Sequence, residues 1–301
     1  MNYKKIIRSR KNRLLILKYI NWIPDRIMLR IQYRIKMGFW PDFTHPQRFS
    51  EKLQLYKMRY RNPIMPRCVD KYEVRKYVKA KGLEGVLNHL YGVYNNVNDI
   101  DFDALPNQFI MKSTTGGGGL NVVVVNDKNT CNWEEMKQKI APWCWKRSQK
   151  RKISSGREWA YTGIVESRII VEELLTDNSN PSNAIDDFKF FCFKGKPYCI
   201  QVDRGRYDDH RQNYYDMDWK SLGVHCTYPE GFMIDKPIHF DEMKQVASKL
   251  SEDFPFVRVD LYNINGIIIF GELTFYPSSG YGLFHPDSFD FELGKKFIID
   301  F

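Results

Sequence analysis

The sequence predicts an α+β fold, and three observations carry that reading. Apolar runs of strand length flank tight-turn signals in pairs, most clearly Val257–Ile264 and Ile267–Phe275 around Asn265-Gly266. Segments with helical spacing fall between the strand pairs and do not alternate with them strictly, which disfavours a doubly wound parallel sheet. The composition is globular, with 15% aromatic and 27% charged residues in a chain of 301, long enough for two or three packed subdomains.

Residues 1–65 read as basic and helical. Ile27, Ile31 and Ile35 recur at helical spacing with Met28 beside them, and Arg26, Arg30 and Arg34 run alongside. The expectation is a helix docked by its apolar residues with a solvated basic flank; contact with an anionic membrane or substrate is the alternative. The chain holds 46 Lys and Arg against 36 Asp and Glu; residues 1–40 take eleven of the former and one of the latter, leaving 35 of each. The positive charge therefore belongs to the N-terminal arm and points to an anionic partner, such as a membrane surface or a lipid-linked phosphate. The neutral body argues against a nucleic-acid partner. Leu14–Ile23 is broken by Lys18 and Asn21, too short to span a bilayer and a poor secretory signal, so a cytoplasmic location is expected, peripheral at most to the inner face of a membrane. The six cysteines form no C-x-x-C pair and read as reduced thiols, not as a zinc site.

Asp70-x-x-Glu73 resembles a capping box opening a helix with Val74, Tyr77 and Val78 on its apolar face. Phe109–Lys112 and Asn121–Asn126 read as a hairpin whose tip is Ser113–Gly119. A helix over Trp133–Trp145 is interrupted near Pro142, and Lys146–Arg157 reads as a mobile basic loop. Arg168–Glu173 is an apolar strand; Phe188–Phe193 and Tyr198–Arg204 form a second hairpin; Asp241–Ser251 is a helix.

Four groups of residues carry chemistry. Lys112 ends a buried strand, where a cation is costly without an anion, and Thr115 with Gly116, Gly117, Gly118 and Gly119 exposes hydroxyl and backbone donors suited to phosphate. No P-loop pattern is present, and a flexible turn with a surface lysine is the simpler alternative. Arg258 and Asp260 share one face of a strand; Glu272 and Thr274 share a face of its hairpin partner. Converging carboxylates form a hard-oxygen site suited to Mg²⁺ bridged to phosphates, with Arg258 placed to offset charge on a transferring phosphoryl group; a surface ion pair is the alternative. Glu172, Glu173 and Leu175 end a strand, with Asp187 and Lys189 beyond; they suit adenine and ribose contacts, or a solvated edge strand. Arg204, Arg206 and Arg211 suit a carboxylate or sugar phosphate, and His210 beside Asp209 fits a base or a structural role.

The order of these pieces resembles the ATP-grasp superfamily, and more closely its TupA-like branch, found among bacterial teichuronopeptide and surface-polysaccharide proteins. The resemblance runs from His45-Pro46-x-x-Phe49-x-Glu51-Lys52-Leu53 through Asp70-Lys71-Tyr72, Leu105-Pro106-x-x-Phe109-x-x-Lys112, Asp187-Phe188-Lys189-Phe190 and Arg258-Val259-Asp260 to Glu272-Leu273-Thr274. It implies two α+β subdomains gripping ATP: an N-terminal subdomain or linker at 66–106, a lid subdomain at 107–175 and a metal-binding subdomain at 176–301. By the same resemblance Lys71 and Lys112 meet the nucleotide phosphates and Gly116–Gly119 close over them. Glu172, Glu173 and Leu175 meet adenine, Asp187 the ribose, Asp260 and Glu272 the magnesium, and Arg258 the transition state. Where many relatives carry Asn two residues after the second acid, this chain has Thr274, a weaker metal donor. The implied activity is an ATP-dependent carboxylate–amine ligase acting through an acyl phosphate, on a uronic acid or amino acid of a surface polysaccharide or its lipid-linked precursor. The same residues would serve an ATP-dependent kinase of an alcohol, and a glycosyltransferase ranks third.

Overall fold

The computed structural model describes residues 9, 19–20, 22–117, 119, 121–146, 157–177, 185–205 and 209–300. Most of the basic arm before Tyr19, most of the loop expected over Lys146–Arg157, Gly118 and Arg206 lie outside these residues. The described helices are α1 (Asp25–Met37), α2 (Phe49–Arg59), α3 (Met65–Cys68), α4 (Val74–Ala80), α5 (Trp133–Ile140), α6 (Trp159–Thr162), α7 (Phe240–Ser251) and α8 (Ser288–Lys296). The strands are β1 (Leu90–Tyr94), β2 (Phe109–Ser113), β3 (Val122–Val125), β4 (Trp145–Lys146), β5 (Glu166–Ser167), β6 (Ile169–Glu172), β7 (Asp187–Phe193), β8 (Lys196–Arg204), β9 (Arg211–Asp216), β10 (Val257–Ile264) and β11 (Ile267–Thr274).

Two antiparallel sheets organise the chain, in the orders β1-β6-β2-β3 and β11-β10-β7-β8-β9. The hairpins expected from the sequence form in register: Lys112 opposes Val122, and Asp260 opposes Glu272. Asn265 and Gly266 take the left-handed backbone of a tight hairpin turn, with φ of 53° and 88°. β6 is an interior strand, so Glu172 does not sit on a solvated edge. The first sheet also takes in β1, from before residue 107.

Each sheet has its own core. Phe109, Met111, Val123, Val125 and Val171 of the first pack on Ile140 and Trp143 beside α5. In the second, strand alternation sends Phe188, Phe190, Val257, Val259 and Leu261 to one side, where α7 buries Phe240, Met243, Ala247 and Leu250; the Phe190 and Phe240 rings lie 6.0 Å apart. On the other side Phe191, Phe193 and Phe256 meet Phe49 of α2 and Phe297 beyond α8, with Phe49 and Phe256 4.8 Å apart. This second face is apolar only at that end; its other end carries the site.

The motif around Phe49 is structural. Glu51 accepts the backbone N–H groups of Asp42, Gln47 and Arg48 at 2.9, 3.0 and 3.1 Å, tying down the turn before α2. Lys52 donates to the carbonyls of Gly294 and Phe297 at 2.7 and 2.9 Å, closing the C-terminus of α8. Asp290, buried in α8, takes Ser50 N–H at 2.9 Å and Ser50 Oγ–H at 2.6 Å.

The structure departs from the sequence reading in three places, one of them Trp145, expected at a helix end but found in β4 paired with Ser167, because Pro142 stops the helix at Ile140. Ile27, Ile31 and Ile35 do not dock α1: they are 51%, 38% and 43% exposed, while Met28, Leu29, Tyr33 and Met37 face the body. Both apolar sets have helical spacing, so periodicity alone could not choose between them. The helix expected at Asp70 begins at Val74; Asp70 Oδ1 takes the N–H groups of Tyr72 and Glu73 at 2.9 Å each, but Glu73 turns away to Arg168 and Lys76 and leaves the box half made.

The packing of α2 sets two measurable quantities. A methyl group on Gly294 would collide with the Gln47 carbonyl oxygen and crowd Phe49 N at 2.9 Å, both backbone atoms that cannot rotate aside. Gly294→Ala should therefore destabilise the fold by about 1–3 kcal/mol in denaturant titration, although alanine normally favours a helix. Lys57, buried in α2, has its amine pushed down by burial from 10.5 to about 8. The folded state thus resists that proton. The penalty is full below pH 8 and gone above pH 10.5, so its release stabilises the fold as pH rises through that window. Unfolding free energies measured across it should rise relative to Lys57→Met by up to about 3 kcal/mol.

Candidate functional site

Strand alternation and register together place one polar row across the second sheet. Glu272 on β11 opposes Asp260 on β10, which opposes Lys189 on β7, then Gln201 on β8, then Tyr214 on β9. Neighbouring positions on the same face add Arg258 opposite Thr274, and Asp187 opposite Asp203.

Every described charge in this row is answered. Arg258 grips Asp260 with two bonds, Nε to Oδ1 at 2.7 Å and Nη2 to Oδ2 at 2.6 Å, and also donates to Thr274 Oγ1 at 3.2 Å. The Thr274 hydroxyl in turn donates to Glu272 Oε1 at 2.9 Å. Lys189 Nζ sits between Asp187 and Asp203 at 2.9 and 2.7 Å; Gln201 donates to Asp203 at 2.9 Å and takes the Tyr214 hydroxyl at 2.7 Å.

Burial drives the protonation of Asp260 up to about 6 despite the pull of Arg258. Burial also works against the charged form of Glu272, but Lys71 and Arg258 outweigh it and hold this carboxyl below its usual range. Asp203 follows the same logic, with Lys189 overcoming burial.

The first sheet supplies the opposite wall. Lys112 Nζ donates to Glu172 Oε2 at 2.9 Å, and Arg75 pairs with Glu172 Oε1 at 3.1 Å. Lys71 N–H bonds the Thr114 carbonyl at 2.8 Å, and its amine donates to the Gly116 carbonyl at the root of the glycine loop. Thr115 Oγ1 bonds Ser167 Oγ at 2.9 Å. Gly117 has open space where a side chain would stand, and Gly119 is left-handed with φ of 74°. At the end of β6, Glu173 is exposed with its carbonyl taken by Asn88 at 2.9 Å, and Leu175 is half-buried.

Lys71 joins the two walls. Burial lowers its proton affinity, the negative charge of Glu272 raises it, and the positive charge of Lys112 lowers it again. Lys71 thus lies within electrostatic range of both Lys112 on β2 and Glu272 on β11. Tyr161 of α6 lies within the field of the same Glu272, which with burial raises its hydroxyl pKa.

Beside Arg258 the cleft continues into a cavity of about 40 Å³, lined by Ser50, Gln201, Gln212, Tyr214, Thr227 and Ser278 on its polar side and by Phe49, Leu53, Phe191 and Phe284. One rim is strained: Ser278, Ser279 and Gly280 have φ of 49°, 53° and 67°, three successive left-handed residues. Lys57 and Gln54 hold this rim through the Ser279 carbonyl at 2.5 and 3.4 Å.

The residues expected to meet a substrate fare differently. Arg204 stands on the face opposite Asp203 and pairs with Asp186 at 3.0 Å; Arg211 pairs with Asp209 at 2.8 Å. His210 stacks on Tyr228 at 3.6 Å, with Nε2 3.6 Å from Asp203. None of these three lines the cavity beside Arg258. The sequence reading assigned no role to Asp203, Gln201 or Arg75. Their signals are present: Gln201 and Asp203 alternate with Ile200 and Val202, and Arg75 follows Lys71 by one helical turn.

The sequence model of the TupA-like ATPgrasp family matches residues 51–298. No curated protein matches the chain. Among solved structures, the D-alanine–D-alanine ligase of Bacillus anthracis is similar at 17% identity and TM-score 0.43, over 69% of this chain and 56% of that one. The L-amino acid ligase of Bacillus licheniformis is similar at 12% identity and TM-score 0.44, over 77% and 49%. The chain thus spans about half the length of these ligases. With the family match running from Glu51 in α2 to Ile298 beyond α8, and so across both sheets, the chain belongs to the TupA-like ATP-grasp family.

Proposed function

We propose that this protein is an ATP-dependent carboxylate–amine ligase whose triphosphate lies between the two sheets. The single observation that carries the reading is the position of Lys71, which reaches the glycine loop while feeling both Lys112 on one wall and Glu272 on the other. Three cationic or backbone-donor groups on one side and an acid pair on the other match a polyphosphate and its counter-cation.

The donor set fits magnesium in kind: Asp260 and Glu272 are hard oxygen donors. Among the described residues no group of three or more His, Cys, Asp or Glu side chains stands together to hold a metal, so phosphate oxygens would complete the shell. Bound there, the ion supplies neutralisation of charge on the transferring phosphoryl group. Thr274 is committed to Glu272 and Arg258, which fits a positioning role better than a metal bond. Asp260 has both oxygens on Arg258, so it would hold the ion in competition with a guanidinium that already lines the cavity.

The cavity beside Arg258 would take the carboxylate group of the substrate, since about 40 Å³ admits that group and not the framework that bears it. It opens onto one guanidinium and several neutral hydrogen-bonding groups, which suits a carboxylate borne on a hydroxyl-rich or amino-acid framework. A carboxylate oxygen attacks the γ-phosphorus, the bond to ADP breaks, and an acyl phosphate forms. An amine then attacks the carbonyl carbon, loses a proton and expels phosphate. The loop of Gly116, Gly117 and Gly119 would exclude water from that intermediate. The family resemblance points to a uronic acid or amino acid of a surface polysaccharide as one partner.

ADP release with Mg²⁺ should be screened against uronic acids paired with amino acids. Lys112→Ala and Glu272→Ala should each lower turnover by roughly 100-fold or more, the scale of losing one group that stabilises transition-state charge, with thermal melting little changed. Wild-type turnover in either variant would refute the site. Mass analysis of the product decides the reaction: an amide confirms a ligase, and a phosphorylated acceptor shows a kinase.

A further inference from the structure

We propose that the outward face of α1 is a docking surface for an anionic lipid bilayer, whatever reaction the cleft performs. Ile27, Ile31 and Ile35 form one ridge at four-residue spacing, 51%, 38% and 43% exposed, and Arg26, Arg30 and Arg34 form the parallel ridge beside it. Trp22 and Trp40, 81% and 58% exposed, stand before and after the helix. Ile27, Arg30, Ile31 and Trp40 line a shallow depression between the ridge and the following turn.

This is the arrangement of a helix lying in a bilayer interface: branched apolar side chains pointing into the acyl boundary, indoles at headgroup level, and guanidiniums reaching phosphates from the flank. Among the described residues none of the three arginines makes an ion pair, and Asp25, the one acid of the helix, is held by Arg157. The seven further basic residues before Tyr19 add charge of the same sign on the same side of the sequence. A bilayer is favoured over a second copy for two reasons. An antiparallel twofold contact through this stripe would set arginine ridge near arginine ridge. The stripe is also on the order of 200 Å², from a helix about 20 Å long, well below the roughly 800 Å² per partner of a stable interface. Among the described residues no helix is long and apolar enough to cross a membrane, so the contact is peripheral.

The buried side of α1 reaches toward the cleft and holds the loop beyond the strained serines. Tyr281 donates to Gln32 Oε1 at 2.9 Å, and Lys36 stands over the Tyr281 ring at 3.9 Å. Docking would therefore keep that loop about one helix diameter, roughly 10 Å, from the lipid surface.

Full-length protein should co-sediment with vesicles of equimolar phosphatidylglycerol and phosphatidylcholine, more weakly at high salt, and not with vesicles of phosphatidylcholine alone. The triple substitution Ile27→Gln, Ile31→Gln, Ile35→Gln keeps every charge and touches no core residue. It should lower vesicle affinity at least tenfold with an unchanged melting temperature. Binding equal to wild type in that variant would overturn the proposal, as would absence of binding by the wild type. Sedimentation velocity can overturn it by another route: a wild-type dimer that the triple variant dissociates would assign the stripe to a second copy.

Discussion

The architecture of the cleft depends on the need to balance buried charge. Asp187, Asp203 and Asp260 are all buried on one sheet face, where an unpaired carboxylate would be prohibitively costly. Each is answered by a cation that strand geometry delivers: Lys189 from the middle strand, Arg258 from two residues along β10. Glu272, at the cleft edge, draws on Lys71 from a different part of the chain. This last dependence couples the charge of the second sheet to a residue that hydrogen-bonds the glycine loop of the first.

The same balance explains why the face is split. Its far end is filled by aromatic rings from β7, α2 and the chain beyond α8, which tolerate no charge. Its near end is polar because every position is part of a chain of donors and acceptors from Tyr214 through Gln201 and Asp203 to Lys189. The cavity beside Arg258 lies at the seam between the two, with apolar walls and a few directed polar groups. Its rim is held in an unfavourable backbone by Gln54 and Lys57 of α2, and a backbone kept strained by its surroundings is characteristic of functional loops.

Much of this was legible in the residues. The hairpins, the α+β character and the pairing of Asp260 with Glu272 follow from alternation and from Asn265-Gly266, because these are local rules of period and turn chemistry. The network around Asp203 was harder to see, since a polar alternation inside a strand shows only that one face is polar, not what that face meets. Arg204 and Arg211 illustrate the converse: their charge drew notice, yet each is answered locally by an acid.

What the sequence determined by itself is local: which segments are strands, which turns close them, and which side chains share a strand face. Tertiary structure alone decided which of two helical stripes on α1 is buried, which cation answers which acid, and that Lys71 feels the charges of both Lys112 and Glu272. The physical reason is that side-chain period is a property of the backbone within a few residues. The partner of a face or of a charge is set by whichever distant element packs against it, and burial energy is realised only once that element arrives.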